Sequence, residues 1–222
     1  MNKLLTTMFA LAVASVTSLS ASLAQAQEIK GDAKAGEKKI AMCIGCHGIK
    51  GYQASFPEVY KVPMISGQSA KYIVAALNAY KQGDRKHPTM RSIADSLSDQ
   101  DMADVAAHYA EDGGPHTAPK APAEITGKAG ELVKKGACIS CHGEGFNKPI
   151  DPAYPKIAGQ HPDYLFVALK SYKTENNPNV GRSNGVMAGI AKQFSNAELK
   201  ELAKYVGGLE GELKTVPQSK FR

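Results

Sequence analysis

Apolar residues recur at helical spacing in two stretches of the chain, and the second stretch repeats the first. Tyr72, Ile73, Ala76, Leu77 and Tyr80 fall on one face of a helix, and Tyr164, Leu165, Ala168, Leu169 and Tyr172 reproduce the pattern. A further stripe of Met102, Val105, Ala106 and Tyr109 has its counterpart in Leu199, Leu202, Ala203 and Val206. Ser98 with Asp101, and Ser195 with Glu198, form capping-box pairs that open these last helices. Earlier helices are expected from about Asp32 to Cys43 and from about Thr126 to Cys138, with Asp32 and Thr126 as their N-caps. No segment shows the alternation of a strand. Each half therefore reads as three helices, and the fold class as all-α.

The repeat extends beyond the stripes. Lys34-Ala35-Gly36-Glu37 returns as Lys128-Ala129-Gly130-Glu131, Gly67-Gln68 as Gly159-Gln160, and the offset stays between 92 and 97 residues. Small insertions between matched segments are what loops of a duplicated domain show. The first 26 residues read as a secretory leader, with Lys3 at its start, an apolar run from Leu4 to Val16 and Ala24-Gln25-Ala26 as the cleavage pattern. Thr7, Ser15, Thr17, Ser18 and Ser20 leave that run too short for a spanning helix. Domains are expected at 27–112 and 126–222. The segment 113–125 between them contains Pro115, Pro119 and Pro122 and reads as a semi-extended linker.

All four cysteines fall in two identical motifs, Cys43-Ile44-Gly45-Cys46-His47 and Cys138-Ile139-Ser140-Cys141-His142. C-x-x-C-H is the signature of c-type haem attachment. Two thiols about one helical turn apart can each add to a haem vinyl group, and the next residue places an imidazole under the iron. A thioredoxin-like dithiol needs a βαβ context that neither motif has. A zinc site needs four ligands where each motif supplies three. Two covalently bound haem c groups are therefore expected, attached through Cys43, Cys46, Cys138 and Cys141.

His47 and His142 are the expected proximal iron ligands. The sixth position separates an electron carrier from an enzyme. Met90 and Met187 are each followed by alanine at four residues and serine at eight, which places both in loops just ahead of a helix and marks them as the distal ligands. His87, three residues before Met90, is the rival. Met102 reads as core. Arg85 and Arg182 each stand five residues before their methionine and are candidates to pair with haem propionates. Pro63 and Pro155 are candidates to accept the Nδ1–H of the proximal histidines.

The formal charge of +6 falls to +5 once Lys3 is removed, and up to four propionate charges bring the holoprotein to about +1. The basic residues are scattered, so nucleic-acid binding is not expected. Lys38, Lys39, Lys134 and Lys135, just ahead of the motifs, are candidates to steer an acidic partner.

Two C-x-x-C-H domains, each with a Pro-x-x-x-Gly-Gln segment, a tyrosine-bearing helix and a Met-x-x-x-Ala ending before a capped serine, resemble the dihaem cytochromes c4 over essentially the whole mature chain. The resemblance implies two tandem cytochrome c domains facing each other, with histidine–methionine ligation at both irons. It also implies a periplasmic carrier, sometimes held at the inner-membrane surface, that passes electrons between respiratory complexes and a terminal oxidase or other acceptor. A cytochrome subunit of a dehydrogenase complex and a dihaem peroxidase are the alternatives; the peroxidase needs an open or releasable distal position.

Overall fold

The computed structural model describes residues 29–114 and 125–218; the expected leader, its cleavage point and most of the proline-rich linker lie outside the described residues. In the first half, the Asp32 carboxylate accepts from the N–H groups of Lys34 and Ala35 and caps α1 (Ala33–Glu37). The helix expected to run unbroken to Cys43 is in fact two. A turn at 38–40 intervenes before α2 (Ala41–His47), so the whole Cys-x-x-Cys-His motif is helical. The turn sends Ile40 into the core while Lys39 reaches Asp101 and Asp104 at 2.6 and 2.7 Å. Next come α3 (Ala70–Gln82), α4 (Pro88–Asp95) and α5 (Asp99–Glu111).

The second half repeats the order with α6 (Gly127–Lys135), α7 (Ile139–His142), α8 (Pro162–Ser171), α9 (Gly185–Ala191) and α10 (Asn196–Gly207). Both expected capping boxes form, on Ser98 and Ser195. Thr126 sits at the N-cap of α6 without a side-chain capping bond, unlike Asp32. The short helices α4 and α9 contain Met90 and Met187, where loops were expected. At seven or eight residues they are too brief to show a periodic stripe.

Each half has its own apolar core. The first gathers Ile44, Ile73, Leu77 and Tyr109 around the fully buried Met102; the second gathers Leu132, Leu165 and Phe194 around Phe146 and Leu199. In the first half α1 crosses α5 closely enough that a Cβ on Gly36 would lie 2.1 Å from the Asp104 carbonyl oxygen. The repeated glycine, Gly130, instead makes room for the Ile125 carbonyl. Asp104 is 3 % exposed and accepts from the Asp32 N–H, Lys39 Nζ and Gln100 Nε2, tying α1 to α5.

Short strands are present, against the expectation of none. β1 (Gln53–Ala54) pairs with β2 (Tyr60–Lys61), and β3 (Arg85–Lys86) pairs with β4 (Gly181–Arg182), both antiparallel. Two-residue ladders carry no alternation for a sequence to display. The second ladder joins the halves, and further polar contacts cross between them beside the ring pair of Tyr60 and Tyr164. Gln68 exchanges two hydrogen bonds with the Lys156 backbone, and Gln160 does the same with Met64. Asp163 accepts from the Lys61 N–H, and Lys170 pairs with Glu58. The segment after α10 then runs back across the first half, where Lys214 bridges to Ser66 and donates to the Gly113 carbonyl. Leu213 and the Lys156–Glu212 ion pair anchor it.

Replacing Gly36 by alanine forces a Cβ into the Asp104 carbonyl, and the holoprotein should lose about 1–3 kcal/mol of stability in denaturant melts, the usual cost of overpacking. The Lys39 ammonium, followed by the Asp32 N–H and Gln100, holds the Asp104 carboxyl below the ordinary carboxylate range. A depressed pKa stabilises the fold above the unfolded value, and that stabilisation fades as pH falls through the carboxylate range. Asp104→Asn should therefore melt below the wild type at neutral pH, with the gap narrowing as pH drops below about 5. A constant gap would contradict the assignment.

Candidate functional site

In the first half α2 presents Cys43, Cys46 and His47, and both Cys43 and Met90 pack against the same core. His47 Nδ1 lies 2.8 Å from the Pro63 carbonyl oxygen. A carbonyl can only accept, so the proton resides on Nδ1 and the Nε2 lone pair is left free for a metal. The second half repeats the arrangement: His142 Nδ1 lies 3.0 Å from the Pro155 carbonyl. Burial lowers the pKa of both imidazoles against the opposing pull of those carbonyls, which keeps the rings neutral. The two prolines picked out from the sequence are thus the histidines' partners.

All four cysteines are unpaired and half-buried. Burial pushes the Cys43 thiol up to about 11 and raises Cys138 as well. A catalytic dithiol needs a depressed pKa to form its thiolate, so Cys43 and Cys138 do not suit disulfide exchange.

Met90 is the third residue of α4, and its N–H donates to Nδ1 of His87, which is the N-cap. Met187 is the third residue of α9, and its N–H donates to the Asn184 side-chain oxygen at 3.0 Å. The rival ligand His87 therefore serves as a helix cap, with its ring edge-on to Phe56 at 6.1 Å. Paired thiols, an imidazole with a free Nε2 and a thioether from a separate helix, which in the first half packs on the same core, are a donor set that fits a covalently tethered haem.

Between the halves lies a cluster that sequence comparison found only in part. Arg85 and Arg182 face each other across the β3–β4 ladder. Arg85 donates to the hydroxyls of Tyr164 at 2.7 Å and Tyr72 at 3.3 Å, and Arg182 to those of Tyr164 at 3.1 Å and Tyr172 at 3.4 Å. Each guanidinium also lies over a tyrosine ring, Arg85 on Tyr80 and Arg182 on Tyr172. Burial works to raise the Tyr164 phenol, but the two guanidiniums overcome it and bring it below the ordinary tyrosine value. Among the described residues neither arginine has a carboxylate partner, and the buried Arg85 Nε has no partner. Opposed like charges destabilise a strand pair, so the cluster favours an anion. The arginines were visible as a repeated pair; the phenols joining them were visible only as helix-face residues.

The lysines ahead of the motifs divide. Lys39 is committed to Asp101 and Asp104, and Lys135 donates to the Gln193 carbonyl and lies 4.8 Å from the centre of the Phe194 ring. Both therefore have structural roles as well as exposed charge.

A family model described as Cytochrome c matches residues 33–110 and again 127–210. The chain is 33% identical to cytochrome c4 of Azotobacter vinelandii over 199 residues, which cover 81% of this chain and 90% of that protein. It is 29% identical to a thiosulfate dehydrogenase electron acceptor of Stutzerimonas stutzeri, covering 85% of this chain and 88% of that protein. The crystal structure of reduced recombinant cytochrome c4 from Pseudomonas stutzeri superposes with a TM-score of 0.59 at 28% identity, over 81% of this chain and all of that one. Two matched segments, two cores and two C-x-x-C-H helices agree with one another: the chain belongs to the cytochrome c family and, within it, to the dihaem cytochromes c4, electron-transfer proteins with haem c bound covalently in each of two tandem domains.

Proposed function

We propose that this protein is an exported electron carrier whose iron ligands are His47 and Met90 in the first domain and His142 and Met187 in the second. Cys43 and Cys46, and Cys138 and Cys141, form the thioether attachments. The domains span 27–112 and 126–222, joined by the linker 113–125, after removal of residues 1–26. One repeated arrangement supports the reading: in each half a C-x-x-C-H histidine is held at Nδ1 by a proline carbonyl, and a methionine stands third in a side-chain-capped helix.

Haem iron, when bound, supplies a one-electron ferric–ferrous couple. His47 with Met90, and His142 with Met187, would hold the iron and leave no open position for a substrate, which favours a carrier over a peroxidase. Thioether ligation also keeps the potential higher than a second histidine would. Arg85 and Arg182, paired across the domain interface, would supply positive charge for propionate carboxylates, since guanidinium geometry suits a carboxylate bidentately.

The carrier passes electrons between redox proteins in the periplasm, from respiratory donors to a terminal oxidase or other acceptor, free or lying against the inner membrane. Among the described residues no helix is long and apolar enough to cross a membrane. Similarity to a thiosulfate dehydrogenase electron acceptor supports a second reading, service to one dehydrogenase. A complex that survives purification would favour that reading, and rapid exchange among several partners the first.

Met90→Ala and Met187→Ala should each open one iron. In each reduced variant carbon monoxide should bind half of the haem and leave the other half unreactive. Met90→His or Met187→His should keep the site closed and lower the potential of that haem alone in a redox titration. A methionine variant in which both haems stay closed to carbon monoxide would refute that residue's assignment.

A further inference from the structure

The exchange of hydrogen bonds between the halves is crossed with respect to the two histidines. The peptide unit that contributes the Pro63 carbonyl to His47 also contains the Met64 N–H, and that N–H donates to Gln160 Oε1, from the other domain, at 3.0 Å. Gln160 Nε2 donates in turn to the Met64 carbonyl at 2.9 Å. The mirror arrangement holds at the second site. The Pro155 carbonyl that accepts from His142 shares its peptide unit with the Lys156 N–H, which donates to Gln68 Oε1 at 3.0 Å, and Gln68 Nε2 returns to the Lys156 carbonyl at 2.9 Å.

Both glutamines are buried, 5 % exposed at Gln68 and 4 % at Gln160. Each is further fixed because its Oε1 also accepts the N–H of the following residue, Ser69 or His161, at 3.0 Å.

A peptide unit is one delocalised system, so an acceptor on its N–H increases the negative charge on its own carbonyl oxygen. Hydrogen bonds linked in this way polarise one another. The chain from glutamine oxygen through the peptide to Nδ1–H makes the imidazole a stronger electron donor, and partners behind a metal-bound histidine are known to tune the metal.

We propose that Gln160 is a positioning residue for the haem site of His47, and Gln68 for that of His142, so that each domain sets the redox potential of the other's haem. The inference rests on the reading of His47 and His142 as proximal ligands. It makes domain docking part of the tuning: the bond that joins the halves is the same bond that polarises the histidine's carbonyl. A more basic imidazole favours the ferric state, so loss of the glutamine should raise the potential of the haem in the opposite domain.

The test is a redox titration of the holoprotein, with each potential assigned to its haem through the Met90→His and Met187→His variants. Gln160→Leu should raise the potential of the haem attached at Cys43 and Cys46 and leave the other in place. Gln68→Leu should do the reverse. Gln160→Glu, which gives the Met64 N–H a stronger, charged acceptor, should instead lower the potential of the haem attached at Cys43 and Cys46, and it carries the test if the leucine variants fail to accumulate. Equal movement of both potentials, movement only in the variant's own domain, or no movement would overturn the crossed tuning. Spectra of the wild type that lack histidine–methionine signatures would instead overturn the ligand reading on which it rests.

Discussion

A histidine can hold one ring nitrogen in a fixed direction toward a metal only if the other is secured, and in this protein a proline carbonyl secures it. The bonds from His47 to Pro63 and from His142 to Pro155 fix the tautomer and the ring orientation together. Much of the surrounding structure serves these two contacts. The motif helices α2 and α7 position the rings, and the segments bearing Pro63 and Pro155 lie at the domain interface, where glutamines from the opposite side grip the next residues. The site and the interface therefore share parts.

The division of polar and apolar contacts follows from the same plan. Each domain keeps a separate apolar core, around Met102 in one and around Phe146 and Leu199 in the other. Domains of under about 100 residues are short of apolar surface to bury, and a flat cofactor supplies an additional core element. The halves meet instead through directional hydrogen bonds, a cross-domain strand pair and an arginine–tyrosine cluster. Directional bonds hold a fixed relative orientation, which an electron carrier with two centres requires and a greasy interface would specify less sharply.

Much of this was legible in the sequence. Covalent attachment needs a strict spacing, so Cys43 to His47 and Cys138 to His142 stood out at once. Helix faces and capping boxes follow from local periodicity, and Ser98 and Ser195 behave as read. Pro63 and Pro155 emerged because duplication let one half index the other. The break in the first helix at 38–40 did not show, nor its counterpart at 136–138, because a three-residue turn leaves little mark on the apolar spacing. The methionine helices were missed because a single turn or two leaves no stripe, and the two-residue strands because they leave no alternation. The glutamine exchange joins residues 88 and 96 positions apart, and a repeated Gly-Gln pair alone does not tell which backbone each will reach.

The central claim is that the chain's own side chains close both irons. It is tested most directly on the purified native protein by counting haem per chain, recording low-temperature paramagnetic resonance of the oxidised form and adding carbon monoxide to the reduced form. Two haems per chain, both low-spin with histidine–methionine character and unreactive toward carbon monoxide, are the predicted result. A high-spin population, or carbon monoxide binding by the native protein, would contradict the claim and place a reactive iron in one of the domains.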